Sequence, residues 1–430
     1  MSPVVLKVPP GDTGPAGQAA AMRFIMLVVL IDMLAVGIIV PVLPAIVGQF
    51  TGDPAEQASW YGVVVISYAL AQFVAAPMLG ALSDRFGRRP VLLLGFCGLA
   101  INFFTTALAS AMWMLVASRI VGGAMQANAA VANAYVADIT APAERAKRFG
   151  LLGAMFGIGF ILGPVLGGVL GGIDLRLPFF VAGGLALANL AYGYFVLPES
   201  LLPSQRGAFD WRRANPLSSL KQLAALKGVG LLVGVLAFAG LAQFSLYTVW
   251  VLYGSFRFGW GPTENGWSLF AVGLVSAVVQ GVLLGRLLKR FTAQRLAVAG
   301  LVSSSLAFLA WGLATEPWMM YAVIFANVLG AAVAASLQGL VSAAADERTQ
   351  GQTMGAVSGL NSLMAVLAPV FAAPLMATVS HLPTSDWRVG APMFFCAALQ
   401  TLALVLAVVH FRRMARRQAA PSTHPLTASH

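Results

Sequence analysis

Two charged side chains lie inside apolar stretches of this sequence. Asp32 is the one carboxylate well inside a predicted membrane span, and Arg119 is the one base. A charge at the centre of a bilayer costs about 2.5–3.5 kcal/mol on insertion scales. Burial disfavours the charged form of a carboxyl group and a neighbouring guanidinium favours it, so Asp32 has a setting in which a proton can be loaded and released. We interpret the pair as a proton-coupling site; the alternative is a structural ion pair that never titrates.

A second set of charges forms a short loop between two apolar runs. It reads Gly80-Ala-Leu-Ser-Asp84-Arg85-Phe-Gly87-Arg88-Arg89-Pro90. Glycine permits unusual backbone angles and proline is tolerated at the start of a helix, so the loop predicts a tight link between two helices. As a gate, Asp84 would dock on the positive N-terminus of the helix starting near Arg348–Gln352 and latch the bundle shut. The alternative is a role in orientation and turn formation alone.

Uncharged polar side chains recur inside the apolar stretches at helical spacing. Arg119, Gln126 and Asn133, for example, are seven residues apart and would share one face of a continuous helix. Polar residues in membrane spans usually face the bundle or a watery cavity, although an interhelical hydrogen bond explains any single one equally well. The set predicts a cavity of mixed polar and aromatic character. Its predicted residues are Tyr68, Asn102, Gln126, Asn133, Gln243, Tyr247, Ser276 and Gln280.

Glycines surround a proline in one apolar stretch, Gly157–Gly168. Pro164 removes a backbone donor and predicts a kink, while the glycines allow close packing between helices. The density of glycine around the proline favours a bendable seam over simple helix contact. The motif consists of Gly159, Gly163, Pro164, Gly167 and Gly168.

Membrane helices must position these residues. Of the 430 residues, 59% are hydrophobic and 10% are charged, against a charged share of about 25% in soluble domains. The composition therefore excludes a soluble fold and predicts an all-α polytopic membrane protein. Hydropathy predicts twelve spans. They cover about 24–48, 60–82, 91–110, 112–135, 147–172, 178–197, 229–254, 264–288, 295–314, 318–342, 352–378 and 390–411.

The distribution of charge predicts the orientation. With both ends in the cytoplasm, only Arg176, Arg257 and Arg388 fall in outer loops, as the positive-inside rule requires. The net charge of +11 therefore reports topology and not a nucleic-acid partner. The predicted divisions are a disordered tail at 1–22, a six-helix lobe at 23–198, a cytoplasmic linker at 199–227, a second six-helix lobe at 228–412 and a disordered basic tail at 413–430.

The two halves share an internal repeat. Gly80–Arg89 aligns with Gly285–Gln294, where Lys289 replaces Asp84. Halves related in this way suit parallel repeats about an axis along the membrane normal. The sequence contains no phosphate-binding loop and no cluster of metal ligands, so we expect neither an enzyme nor a cofactor.

These motifs resemble those of a known family. The loop Gly80–Pro90 resembles the signature loop between helices 2 and 3 of the major facilitator superfamily, and Gly157–Gly168 resembles the motif of its drug/proton antiporters. The stretches Leu30–Pro44, Ala137–Thr140 and Leu197–Ser200 are similar to those of the tetracycline/proton efflux antiporters.

The resemblance implies two lobes of six helices, alternating access, and export of a small amphipathic drug in exchange for protons across the bacterial inner membrane. It implies a coupling role for Asp32 and Arg119. The residues of the implied gating loop are Gly80, Asp84, Arg85, Gly87, Arg88 and Arg89. We also expect the chain to act as a monomer.

Three positions depart from the tetracycline exporters. Asn102, Ser276 and Ser304 stand where those exporters carry an acid, a histidine and an acid. A cationic metal–tetracycline chelate would lose those partners, so the sequence leaves the drug open. The alternatives are a nutrient or metabolite symporter of the same fold and a non-transporting membrane scaffold or sensor.

Overall fold

The computed structural model describes residues 15–126, 128–141, 144–207, 230–344 and 350–419, and this part of the chain is helical without strands. The helices of the first half are α1 (Pro15–Ile39), α2 (Leu43–Gly48), α3 (Pro54–Phe86), α4 (Arg88–Ala107), α5 (Met112–Met125), α6 (Asn128–Asp138), α7 (Arg145–Ile173) and α8 (Leu177–Val196). Those of the second half are α9 (Gly230–Phe258), α10 (Pro262–Val278), α11 (Leu284–Arg290), α12 (Ala293–Leu313), α13 (Pro317–Ala326), α14 (Val333–Ala344), α15 (Gln350–Val379) and α16 (Ala391–Ala419).

The helices agree with a membrane-spanning bundle. Within the described residues, ten helices or joined helices are long and apolar enough to cross a bilayer, or eleven if α13 and α14 count as one bent span. Two terminal helices extend beyond the predicted boundaries, since α1 begins at Pro15 and α16 continues to Ala419. Residues 208–227 of the predicted linker, and the chain ends at 1–14 and 420–430, lie outside the described residues.

Three of the predicted spans are not continuous helices, and that part of the sequence prediction is wrong. The first breaks between α1 and α2, where Pro41 lacks the N–H that a helix interior needs. The fourth breaks after Met125, directly beyond the weak helix formers Gly122 and Gly123. The tenth bends by 53° between α13 and α14.

The breaks in the fourth and tenth spans have nearly the same backbone geometry. Gln126 ends α5 with φ −81° and ψ 45°, and Asn327 ends α13 with φ −83° and ψ 38°. Gln126 and Asn327 thus end two helices in similar positions of the two halves of the chain. Interrupted helix at membrane depth is tolerated where it is buried in protein or lines a cavity, and such paired interruptions often mark a binding region.

The two lobes meet at one end of the bundle through α7 with α10 and α3 with α15. At this end a Cβ on Gly168 would lie 2.7 Å from the carbonyl oxygen of Pro262, and a Cβ on Gly62 would lie 2.5 Å from the Cβ of Ala373. The hydroxyl of Thr263 donates to the carbonyl of Gly168 at 3.1 Å. We call this the closed end.

The same helices separate towards the other end. On α7, a Cβ on Gly150, Gly153 or Gly157 would have no neighbour within 4 Å, and the same holds for Gly281 and Gly285 beyond α10. Gly80 on α3 and Gly355 on α15 are equally clear of neighbours. The lobes therefore diverge from the closed end to an open end, which carries the loop at residues 80–90.

Candidate functional site

The N-terminal lobe encloses a cavity of about 170 Å³ around Arg119. Its polar lining is Tyr61, Tyr68, Asn102 and Arg119, and the remaining lining is apolar. Arg119 is only 3% exposed, and its guanidinium carbon lies 5.8 Å from the centre of the Tyr68 ring. The Nε and Nη2 atoms of Arg119 are shielded from solvent and have no hydrogen-bond partner. A buried cation with two unsatisfied donors requires a partner that this conformation does not supply.

Asp32 lies on α1 close to the same cavity. Its side chain is buried, and Tyr68 lies within electrostatic range of both Asp32 and Arg119. The structure therefore brings the predicted coupling residues together around one tyrosine, although α1 and α5 are far apart in sequence. Tyr68 is thus the residue that both charges reach.

Asn102 is the third polar residue of this cavity. It is completely buried, and neither atom of its amide has a hydrogen-bond partner. A Cβ on Gly122 would lie 2.6–2.9 Å from that amide, so glycine at this position makes room for it. Gln126 is also buried, at the end of α5, where its backbone oxygen accepts a weak bond from Gln72.

Asn133 does not line either of the two cavities described here. It lies on α6, beyond the break, and is exposed. The predicted common face of Arg119, Gln126 and Asn133 is therefore wrong, because the helix does not continue through residue 126. The sequence signal for the break is the pair Gly122 and Gly123, because glycine is a weak helix former.

The C-terminal lobe encloses a larger cavity of about 340 Å³. All four residues predicted for this lobe, Gln243, Tyr247, Ser276 and Gln280, line it. Gln280 lies in a π-helical segment, Val279–Leu283, and such segments are frequent at functional sites. Five further polar residues were not predicted as site residues. They are Ser304, Asn327, Gln338, Asn361 and Gln400.

Aromatic side chains form one wall of the C-lobe cavity. The rings of Trp250 and Trp311 meet edge to face at 5.0 Å, and Phe308 stacks on Trp311 at 5.8 Å. Both indole N–H groups are already used, by Ser268 and by the carbonyl of Met320. The tryptophans therefore offer ring faces and not donors to a bound molecule.

The loop at residues 80–90 is organised by Arg88. Its guanidinium contacts Asp84 at 2.5 Å, Asp138 at 3.1 Å and the hydroxyl of Ser83 at 2.6 Å. The side chain of Arg88 is only 10% exposed, whereas that of Asp84 is 61% exposed. The loop therefore has a buried cationic centre that fixes α3, α4 and α6 to one another.

Glu199 completes this cluster from the segment after α8. Its carboxylate accepts from the backbone N–H groups of Arg88 at 2.8 Å and Arg89 at 3.3 Å, and so caps the N-terminus of α4. Gly87 has φ 106°, and a Cβ there would collide with Glu199. Two stretches from which the family resemblance was drawn, those of Asp138 and Glu199, thus meet at the loop.

The predicted partner of the loop's latch, Arg348, lies outside the described residues. Asp84 pairs with Arg88 of its own lobe. Arg89 donates to the carbonyl oxygen of Tyr194, and Arg85 is exposed above the ring of Phe86. The gating role stays a prediction.

The glycine motif of α7 packs on two different helices. Gly159, Gly163 and Gly167 lie four residues apart, and a Cβ on any of them would collide with α1. Gly168, one residue on, faces α10 of the other lobe. The helix runs unbroken through Pro164. The motif thus joins the helix that carries Asp32 to the surface between the lobes.

The chain matches the model of the Major Facilitator Superfamily over residues 25–369 and 232–428. It belongs to that superfamily. The tetracycline resistance protein of class C from Escherichia coli is 36% identical over 375 residues, which is 87% of this chain and 94% of that protein. The class D protein from Salmonella ordonez is 35% identical over 370 residues, covering 86% and 93%.

The fold is also that of solved transporters. A bacterial homologue of the human lysosomal transporter Spinster superposes with a TM-score of 0.74 at 16% identity, covering 96% of this chain and all of that one. The protein is therefore a multi-pass transport protein of the bacterial inner membrane and not an enzyme. The resemblance to the tetracycline exporters seen in the sequence is confirmed.

Proposed function

We propose that this protein is a proton-coupled antiporter that exports amphipathic antibiotics by alternating access. The observation that supports the proposal is that the buried charges and the larger cavity lie in different lobes. The N-lobe holds a buried acid and base, Asp32 and Arg119, while the C-lobe holds a larger cavity with polar and aromatic walls. Tetracycline resistance proteins similar to this chain favour a drug as the cargo.

The proposal includes twelve spans with both chain ends in the cytoplasm. The helix pairs α1–α2, α5–α6 and α13–α14 each count as one span, and α10 with α11 counts as another. The loop at residues 80–90 then lies on the cytoplasmic side, as its positive charge favours. In this orientation the open end faces the cytoplasm. One chain supplies both cavities, so we expect a monomer.

The cycle follows from this arrangement. In the conformation described, drug enters the C-lobe cavity from the cytoplasm or inner leaflet, and Asp32 releases its proton inward. The lobes then rock so that the outer side opens, the drug leaves, and Asp32 takes a proton from outside. Protonation of Asp32 changes the charge near Tyr68, which also lies against Arg119, and therefore biases one arrangement over the other.

Asp32→Asn tests the coupling. In inverted membrane vesicles with an acidic interior, addition of drug is expected to cause proton efflux through the wild-type protein. The variant is expected to cause no such efflux. Glu316→Gln, at an exposed carboxylate before α13, serves as the control and should behave as wild type. Normal antiport by Asp32→Asn would overturn the proposal.

The cargo is identified by growth inhibition in an efflux-deficient host. A panel of tetracyclines, chloramphenicol, fluoroquinolones and dyes is the useful set, with empty vector as the reference. Export predicts raised inhibitory concentrations and lower cell-associated drug. A metabolite symporter would instead accumulate its substrate, and a scaffold would do neither.

A further inference from the structure

The lining of the C-lobe cavity indicates the charge of the ligand that it can bind. Its described lining includes no Asp, Glu, Lys, Arg or His side chain. The polar lining is made almost entirely of carboxamides and hydroxyls. The carboxamides are Gln243, Gln280, Asn327, Gln338, Asn361 and Gln400.

We infer that this cavity selects an uncharged aromatic compound that carries hydrogen-bonding groups, in preference to an organic cation or a metal chelate. The inference deepens the proposed function and rests on that function for the direction of transport. The selectivity of binding is a property of the cavity alone and does not depend on the proposed function.

The first argument is desolvation. The cavity is partly open, since its lining residues Tyr247, Gln280 and Gln338 are exposed. A permanent cation or a chelated metal that enters it without a counter-charge still loses part of its hydration, and neutral walls do not replace what is lost. Aromatic faces such as those of Trp250 and Trp311 recover part of that loss through cation–π contact, but not all of it. An uncharged ligand loses far less on entry, because carboxamides both donate and accept hydrogen bonds and can match its polar groups.

The second argument is a specific unsatisfied acceptor. Gln400 lies on α16 and lines the cavity, its residue is only 4% exposed, and its Oε1 atom has no hydrogen-bond partner. A buried acceptor of this kind favours a ligand with an N–H or O–H group. The two indole N–H groups are already occupied, so the aromatic wall provides stacking alone. An aromatic amide or alcohol satisfies both requirements.

An uncharged cargo has a consequence for the charge that moves across the membrane. Asp32 and Arg119 are both in the N-lobe, outside the C-lobe cavity. When an uncharged molecule leaves and a proton enters, net positive charge moves inward. Export of such a cargo is therefore driven by the membrane potential as well as by the pH gradient, whereas one-for-one exchange of a monovalent cation for a proton is indifferent to potential.

Binding to the purified protein in nanodiscs tests the selectivity. The probes are chloramphenicol, an uncharged aromatic amide, ethidium, a permanent aromatic cation, and tetracycline with Mg²⁺. Quenching of tryptophan fluorescence measures binding, because Trp250 and Trp311 form the wall. Chloramphenicol is expected to bind at least about tenfold more tightly than the two charged probes. Equal or tighter binding of ethidium or the chelate would overturn the inference.

Three variants sharpen the result. Gln400→Leu is expected to weaken the binding of chloramphenicol about three- to tenfold, because one neutral hydrogen bond is lost. Ser245→Ala removes another buried, unpartnered oxygen on α9 that does not line the cavity, and it should bind as wild type. Ser276→Asp places a carboxylate in the cavity and should gain ethidium binding. If Gln400→Leu binds like Ser245→Ala and Ser276→Asp gains nothing, the cavity does not select by charge.

Proteoliposomes separate this inference from the proposed function. With a potassium diffusion potential and no pH gradient, chloramphenicol transport by wild type is expected to follow the potential. Chloramphenicol transport that is indifferent to the potential means that no net charge moves, which contradicts exchange for a proton and therefore the antiporter, while the selectivity of the cavity is judged by the binding measurements alone. Selective binding of chloramphenicol without any proton-linked transport supports the cavity assignment and contradicts the antiporter.

Discussion

The cavities of the two lobes differ in the chemistry of their linings. The N-lobe has a small cavity with Arg119 at its wall and Asp32 nearby, whereas the C-lobe has twice the cavity volume and no charged lining residue. The loop of the N-lobe is held by a buried arginine, while the aligned segment of the C-lobe has exposed Lys289 instead of an acid. The first copy of the repeat therefore pairs an acid with its arginines, whereas the lobe of the second copy has the larger cavity.

The largest difference between the lobes is expected at the loop. Arg88→Ala removes the cation between Asp84 and Asp138 and should destabilise the protein by roughly 2–3 kcal/mol. This is below the value for a fully buried pair, because the side chain of Asp84 is 61% exposed. The midpoint of thermal unfolding in detergent measures it, with drug efflux as the second readout.

Lys289→Ala is the matched change in the C-lobe. Lys289 is exposed on α11, and its loss should alter stability by less than about 0.5 kcal/mol. Equal destabilisation by Arg88→Ala and Lys289→Ala would show that the loop cluster does not stabilise the N-lobe more than its counterpart stabilises the C-lobe.

A smaller difference is expected for glycine. Gly87→Ala forces a side chain into φ 106° and against Glu199, at a cost of about 1–3 kcal/mol. Gly285→Ala, at a helical glycine of the C-lobe with no neighbour within 4 Å, should be neutral or stabilise by up to about 1 kcal/mol. Chemical denaturation of each variant in the same detergent gives the comparison. A stable Gly87→Ala protein would argue that Glu199 is free to move away.

The smallest difference concerns the two helix breaks. Ser303 donates to the side-chain oxygen of Asn327 at 2.8 Å, so Ser303→Ala should cost about 1 kcal/mol. In the N-lobe the corresponding support is weaker, since the bond from Gln72 to Gln126 is 3.4 Å long, and Gln72→Leu should cost less. Hydrogen exchange around each break reports the loosening, and a larger effect of Gln72→Leu would reverse the order.

The sequence identified four residues of the C-lobe cavity because their signal is local. Gln243 and Tyr247 are one helical turn apart, as are Ser276 and Gln280, and a polar face in an apolar helix is visible without neighbours. Asp32 and Arg119 were equally visible, because charge is rare within spans. What periodicity cannot show is a change of register, and Asn133 was misplaced for that reason.

Contacts between distant segments were the other omission. Glu199 caps α4 from more than a hundred residues away, and Gln400 enters the cavity from the last helix. Neither residue has a distinctive local pattern, since a polar residue at a helix end or within a final span has several possible roles. Their function depends on packing that a single sequence does not display.

The closed end has a thermodynamic consequence for the transport cycle. There the lobes touch through Gly62, Gly168 and Gly266, positions with no side chain to interlock. The lobes can therefore part without disengaging large side chains, but the close backbone contact and the hydrogen bond from Thr263 to Gly168 are lost. For the inward-open and outward-open states to lie close in free energy, contacts formed at the open end must offset this loss, and a single proton or a weakly bound ligand then shifts the balance. The glycines at this contact therefore set how much new contact the opposite end of the bundle must form in each turnover.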